Sequence, residues 1–145
     1  MPLRGAYCLS LSIEPGITVR IGALGDVSFE GGEYVYVGSA MNGIETRVRR
    51  HINSYIKRTN ALHWHIDYLL CQSGVHLKAV HAYISDERIE CRISEALSLK
   101  FQALRGFGSS DCGCKGHLFK IEGNWNPMNL GDLAKQSIPI IIENL

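Results

Sequence analysis

The sequence lacks a long hydrophobic run, an excess of charge of either sign and an even set of cysteines. No stretch of about 18 apolar residues occurs, which argues against a membrane-spanning helix. The first residues do not form a signal-peptide pattern because Gly, Ser, Glu and Pro interrupt them. Five cysteines, an odd number, argue against a disulfide framework and favour a reducing, cytoplasmic environment. The net charge of +1 argues against a protein that coats nucleic acid along its length, although a local basic patch can still bind phosphate.

The 145 residues contain no internal repeat or low-complexity segment, and their number predicts a single domain. Hydrophobic residues make up 46% of the chain and charged residues 20%, as is typical of globular proteins. The expected core covers about residues 5–122, and residues 123–145 form a C-terminal tail. An apolar run in this tail could pack on the domain or on a second subunit, so the sequence leaves the oligomeric state open.

Alternating apolar residues predict strands at residues 7–13, 18–24, 34–38 and 75–84, and a short last strand at 118–122. A turn at Pro15-Gly16 is expected to join the first two strands as a hairpin. Because the connections among the first three strands are short, their sheet is expected to be antiparallel.

The period of apolar residues changes to 3.6 beyond the third strand and predicts two helices, at residues 43–58 and 87–104. Asn42 is expected to cap the first helix and Ser85-Asp86 the second. The sequence therefore predicts an α+β fold in which helices flank a small central antiparallel sheet.

The junction between the third strand and the first helix is a candidate phosphate site. Gly38 and Ser39 are small enough for a ligand or another backbone to come close, and a helix N-terminus follows them. The first helix has one acidic residue, Glu45, and a run of positive charges at Arg47, Arg49, Arg50, Lys57 and Arg58. An ordinary strand–turn–helix connection and a solvated basic face are the alternatives to a phosphate site.

Residues 63–70 place polar groups inside an apolar segment. In a strand, His63, His65 and Asp67 would share one face, whereas in a helix His63 and Asp67 would be an i,i+4 pair. A hydrogen-bonded His–Asp pair that fixes a turn is one interpretation, and a metal or phosphate contact is the other.

Glu90 is expected on the buried side of the second helix. A carboxylate there needs a cation or a hydrogen-bond donor, because burying it unpaired is costly. A salt bridge to an arginine and a divalent-metal site both satisfy this requirement.

Glycines and serines predict a loop over residues 106–117, which contains Asp111, Cys112, Cys114 and His117. The Cys-x-Cys spacing is tighter than in usual zinc sites, and the loop supplies only three cysteine or histidine ligands. We therefore expect free thiols packed near His117 or residues 63–67, with no disulfide and no zinc.

Two tripeptides resemble the signature motifs of a known family. Residues 5–7 read Gly-Ala-Tyr and residues 36–38 read Tyr-Val-Gly, and together they resemble the two signature tripeptides of the GIY-YIG nuclease family. Ala6 and Val37 stand where that family usually has Ile, while the Tyr and Gly of both tripeptides are kept.

The helices extend this resemblance. The family has an Arg in the first helix and a Glu in the second, and Arg47 and Glu90 occupy matching positions here. Some members also have a His one turn after the Arg, and His51 occupies that position. The family's usual final Asn has no clear counterpart; Asn126 and Asn129 are the candidates. Further segments look like a Uri-like branch of the superfamily, formerly catalogued as the domain of unknown function DUF123: residues 38–40, 50–51, 63–69, 90–91, 108–112, 114 and 117. The whole match covers about residues 5–119.

The resemblance implies a divalent-metal-dependent endonuclease that hydrolyses DNA phosphodiester bonds, with structured or damaged DNA as the candidate substrate. Glu90 would hold one Mg²⁺ or Mn²⁺, and Arg47 would stabilise negative charge on the phosphoryl oxygens. Tyr7 or Tyr36 would orient or activate the attacking water, and His51 is the other candidate base. Phosphate contacts are expected from Gly38, Ser39, Arg47, Arg50 and Arg58, and supporting roles from His63, His65, Asp67, Asp111, Cys112, Cys114 and His117.

Two other functions are compatible with the sequence. The chain could be a nucleic-acid-binding module that keeps the nuclease fold without turnover, or a structural zinc module built on the cysteine loop. The nuclease interpretation makes the sharpest geometric prediction, which is that five side chains converge on one basic-rimmed pocket beside Gly38. These are Tyr7, Tyr36, Arg47, His51 and Glu90.

Overall fold

The computed structural model describes residues 2–58, 62–109 and 112–141. The strands are β1 (Gly5–Ile13), β2 (Ile17–Arg20), β3 (Asp26–Phe29), β4 (Gly32–Ala40), β5 (Val75–Ile84), β6 (Gln102–Ala103), β7 (Leu118–Ile121) and β8 (Gln136–Ile140). The α-helices are α1 (Ile44–Lys57), α2 (His65–Leu70) and α3 (Glu90–Ser98), and 3₁₀ turns cover Gly22–Leu24 and Pro127–Leu133. No helix in these ranges is long and apolar enough to cross a lipid bilayer.

Six strands form the central sheet in the order β6-β7-β4-β1-β5-β8, and every neighbouring pair is antiparallel. The predicted α+β fold with a central antiparallel sheet is confirmed. Successive residues of β1 point to opposite faces of this sheet. Tyr7, Leu9 and Leu11 pack in one apolar cluster with α1 and α2, whereas Ala6 and Cys8 pack in a second cluster with α3.

The predicted hairpin between the first two strands is wrong. β2 pairs with β3 in a separate two-stranded sheet, and both edges of β1 are occupied by β4 and β5. All nine residues of β1 pair with all nine of β4, so the long-range pairing offers more backbone hydrogen bonds than the four-residue β2 could supply.

The first helix lies close to its predicted bounds, but Gly43 rather than Asn42 is its N-cap residue. Ile44, Val48 and Ile52 are buried as expected, whereas Ile56 is 67% exposed.

The second long helix is much shorter than the predicted 87–104. It begins at Glu90 and ends at Ser98, and residues 102–103 instead pair with β7 as an edge strand. Before the helix, Ser85 Oγ accepts a hydrogen bond from the Glu87 backbone N–H. Glu90 is therefore the first residue of α3.

The C-terminal tail joins the body of the domain. β8 pairs with β5, and Ile138 and Ile140 pack against the core. Asn126 Oδ1 accepts a hydrogen bond from the Met128 backbone N–H and so caps the second 3₁₀ turn, which contains Asn129.

Candidate active-site cavity

A cavity of about 400 Å³ lies where β1 and β4 meet the starts of α1 and α3. Four of the five side chains predicted to converge line it, and they are Tyr7, Tyr36, Arg47 and Glu90. Ser39, whose hydroxyl is buried without a protein partner in the described part of the chain, also lines it. His51 does not face the cavity. It lies behind Tyr7, and its side chain is 1% exposed.

Tyr7 and His51 form a buried hydrogen-bonded pair. The Tyr7 hydroxyl is 2.6 Å from His51 Nε2. Burial raises the pKa of Tyr7 well above its usual value, while the nearby Arg47 guanidinium opposes this rise. Burial lowers the pKa of His51 to about 4, although the negative charge of Asp67 acts in the opposite direction. Both groups are therefore neutral at pH 7, and one hydrogen bond joins them.

Arg47 is held at the cavity by an aromatic surface and a carbonyl. Its guanidinium carbon is 4.3 Å from the centre of the Trp64 ring, and Nη1 donates to the Ser39 carbonyl at 3.2 Å. Arg50 also stacks on Trp64, at 4.0 Å, and forms an ion pair with the buried Asp67 at 3.6 Å. Cation–π contacts of this kind favour a fixed guanidinium position.

Glu90 is the one carboxylate that lines the cavity within the described ranges, whereas Arg47 and Arg88 both contribute positive charge. Its side chain is 25% exposed, and Oε1 lies 3.7 Å from His117 Nε2. The cavity wall is therefore basic with one acidic position, a charge pattern that suits a phosphate together with a cation.

Residues 63–67 form a hydrogen-bonded frame behind the cavity. Asp67 Oδ2 accepts hydrogen bonds from the backbone N–H groups of His63 and Trp64, at 2.9 and 2.8 Å. His65 Nδ1 accepts one from the Gly108 N–H at 2.8 Å. The helix α2 begins within this segment, at His65, and of the two interpretations left open the hydrogen bonds to Asp67 favour the structural one. Asp67 orders the start of α2, which carries Trp64 at its N-cap.

Gly38 is not at the end of its strand, because β4 continues to Ala40. A Cβ atom on Gly38 would lie 2.3 Å from Cζ of Tyr7, so the glycine makes room for the Tyr7 ring. Gly38 was expected to leave room for a phosphate, but the space beside it is filled by the Tyr7 ring.

Arg58 lies away from the cavity. Its Nη1 donates to the carbonyls of Leu70, Gln72 and Val75, which end α2 and begin β5. These bonds occupy the group that was expected to contact phosphate. Arg58 therefore stabilises a turn.

A second group of polar side chains borders the cavity. The ligand atoms of Cys91, Cys112, Cys114 and His117 all lie within 4.8 Å of one another. All five cysteines of the chain are free thiols. Asp111, the remaining polar residue expected to support the site, lies outside the described residues.

The family model described as "Domain of unknown function DUF123" matches residues 6–138. The chain belongs to the DUF123 family. Comparison with curated proteins and with solved structures gives no match.

Three residues of this DUF123 domain were missed by sequence reasoning. Trp64 and Arg88 line the cavity, and Cys91 lines both the cavity and the cysteine cluster. Trp64 had a detectable signal, since it lies among histidines and follows a helix with two arginines three residues apart. Cys91 had no local signal, because 20 residues separate it from Cys112.

Proposed function

We propose that this protein is a divalent-metal-dependent endonuclease that hydrolyses DNA phosphodiester bonds in the cavity between α1 and α3. The observation that carries the proposal is that Tyr7, Tyr36, Arg47 and Glu90 line one basic cavity. These are the residues at which the sequence resembles GIY-YIG nucleases. Membership of the DUF123 family agrees with this resemblance but names no activity.

Arg47 would bind the phosphate and stabilise the charge that develops on its oxygens. Its guanidinium is already positioned by Trp64 and the Ser39 carbonyl, so little reorganisation is needed when the phosphate binds. A preorganised donor of this kind is worth about 10²–10³-fold in rate. Arg88 adds a second positive charge to the same wall.

Tyr7 would receive the proton of the attacking water, because Tyr7 lines the cavity and its hydroxyl is hydrogen-bonded to the buried His51. In one tautomer His51 carries its proton on Nδ1, and Nε2 accepts the Tyr7 proton over 2.6 Å. Burial disfavours the resulting imidazolium, and the negative charge of Asp67 offsets part of that cost. The two residues then act as one base, with Tyr7 in contact with water and His51 as the final proton acceptor.

Glu90 would hold the metal ion. Mg²⁺ prefers oxygen ligands and keeps several of its waters, so a single carboxylate that faces an open cavity fits it. When bound, the ion would supply charge neutralisation for the phosphate and the leaving oxygen.

The test is cleavage of labelled duplex, nicked and branched DNA with Mg²⁺ or Mn²⁺, comparing the parent chain with Glu90→Gln. The isosteric amide should abolish cleavage and leave DNA binding within about twofold, because it removes a metal ligand and no phosphate contact. Glu95→Gln, in the same helix, is the matched control. Equal cleavage by parent and Glu90→Gln proteins would reject this site, and binding without cleavage by the parent would favour the nucleic-acid-binding module.

A further inference from the structure

Three cysteines and one histidine meet beside the cavity although they come from two distant parts of the chain. Cys91 is the second residue of α3, whereas Cys112, Cys114 and His117 lie between β6 and β7. The three sulfur atoms and one imidazole nitrogen lie within 4.8 Å of one another. Cys91 is the fourth ligand that the cysteine loop alone did not provide.

We propose that Cys91, Cys112, Cys114 and His117 bind one zinc ion in a closed Cys₃His site that fastens residues 112–117 to α3. Structural zinc sites have four ligands of these two types in tetrahedral geometry. Cys112 Sγ is 3.2 Å from His117 Nε2, and two ligands of one tetrahedral zinc are about 3.5 Å apart for these bond lengths. The side chains therefore need only small movements to surround the ion. This proposal replaces the expectation, based on the loop alone, that zinc is absent.

The orientation of His117 supports the assignment independently. Its side chain is 1% exposed, and its Nδ1 is 2.5 Å from Ser94 Oγ. If Nδ1–H donates to this hydroxyl, the lone pair of Nε2 is directed at the sulfur atoms. Histidine ligands of metals are typically held by such a bond from the other ring nitrogen.

Backbone hydrogen bonds also hold the segment around the cluster. The His117 N–H donates to the Phe107 carbonyl at 2.7 Å, and the Gly106 N–H donates to the Lys115 carbonyl at 2.7 Å. The His117 carbonyl accepts from the Val37 N–H at 2.8 Å. The loop thus presents its ligands from a frame joined to β4.

The ligand chemistry selects the ion. Three thiolates and an imidazole suit zinc, whereas Mg²⁺ and Mn²⁺ prefer oxygen ligands. An iron–sulfur cluster contains several metal atoms and needs its ligands farther apart than one ion does. A disulfide would use two of the cysteines and leave the third thiol and the imidazole without a role.

A zinc ion at this position would also fix the cavity wall. Cys91 and Cys112 both line the cavity, and Glu90 is the residue before Cys91. The ion would hold the first turn of α3 against the loop and so define where the Glu90 carboxylate lies. With four protein ligands the site is closed to water, which makes this ion structural.

Elemental analysis of protein purified under reducing conditions without added metal tests the proposal, and it needs neither DNA nor activity. We expect about one zinc per chain in the parent protein. Cobalt substitution should give thiolate-to-metal charge-transfer absorption. Cys91→Ser and Cys114→Ser should lose most of the bound zinc, whereas Cys71→Ser, which lies outside the cluster, should keep it.

Ser94→Ala is a milder variant that keeps all four ligands. It should weaken zinc affinity by about 10- to 100-fold, because it removes the partner that orients His117. A parent protein that holds neither zinc nor added cobalt would overturn the proposal, as would a protein that holds iron and sulfide. Undiminished zinc in Cys91→Ser would overturn the four-ligand assignment. A zinc-free protein that still cleaves DNA through Glu90 would leave the proposed function intact.

Discussion

The Tyr7 hydroxyl lies 2.6 Å from Nε2 of His51, and both side chains are 1% exposed. This bond joins the cavity to a buried group that can accept a proton but cannot touch a substrate directly. Under the proposed function, Tyr7 would face the attacking water and His51 would take the proton from Tyr7.

Replacing Tyr7 with phenylalanine should reduce cleavage by about 10²–10⁴-fold, because it removes the hydroxyl that is hydrogen-bonded to His51 at the cavity. The loss of one buried hydrogen bond should cost about 1 kcal/mol in the free energy of unfolding. Cleavage rates and urea unfolding measure the two effects. Tyr34→Phe is the control, since Tyr34 is a second buried tyrosine whose hydroxyl donates to the Glu30 carbonyl outside the cavity. Similar cleavage by both variants would exclude Tyr7 from the chemistry.

The buried His51 predicts a specific pH dependence of stability. Its pKa falls from 6.5 to about 4 on folding, so below pH 6.5 the unfolded chain binds a proton that the folded chain does not. Stability from this group is therefore fully present above pH 6.5 and is lost as the pH falls from 6.5 to 4, by roughly 3 kcal/mol at most.

Urea unfolding of the parent and His51→Gln proteins between pH 4 and 7.5 measures this effect. The difference in unfolding free energy between them should shrink as the pH falls, because glutamine does not titrate. Other groups contribute equally to both proteins and cancel. Parallel stability curves would show that His51 is not the buried neutral group described above.

Arg47→Ala should slow DNA cleavage by about 10²–10³-fold. The variant removes a guanidinium that the Trp64 ring and the Ser39 carbonyl hold at the cavity. Arg49→Ala removes the same charge from an exposed position of the same helix and serves as the matched control. If both variants lose the same small amount of activity, the effect of Arg47 is general electrostatic attraction.

Gly38→Ala should destabilise the fold by about 1–3 kcal/mol, since the added methyl group would overlap the Tyr7 ring. It should also reduce cleavage if Tyr7 moves. Thermal unfolding and cleavage are measured beside Gly113→Ala, where an added Cβ meets no atom within 4 Å. Unchanged stability in Gly38→Ala would mean that the Tyr7 ring has another position available.

Local patterns predicted much of the fold. Alternation identified β1, β4 and β5, and the 3.6-residue period identified α1 almost to its ends. The predicted partner of β2 was wrong. Strands that are close in sequence are expected to form a hairpin, but both edges of β1 pair with longer strands. The predicted end of α3 was wrong because apolar residues beyond Ser98 suit a strand as well as a helix. Ala103, for example, lies in β6, which pairs with β7.

The residue types of the candidate site were predictable from the sequence. Which of these residues line the cavity and which are buried behind it was not. Tyr7 and Glu90 could be assigned to one pocket through the family resemblance, yet only tertiary structure separates the cavity-facing Tyr7 from the buried His51. Arg58 belongs to the same basic run as Arg47, and charge alone could not show that three carbonyls bind it. Cys91 became a ligand candidate only when the fold brought α3 beside the 112–117 loop.

The stacking of Arg47 and Arg50 on Trp64 gives the cavity its own optical reporter. The chain has two tryptophans, and the other, Trp125, packs in the separate apolar cluster that contains α3. In a Trp125→Phe chain, all indole fluorescence would arise from the cavity wall. An anion that draws Arg47 away from the Trp64 ring would change the Trp64 emission. Binding in the cavity could therefore be followed by tryptophan fluorescence without a labelled ligand.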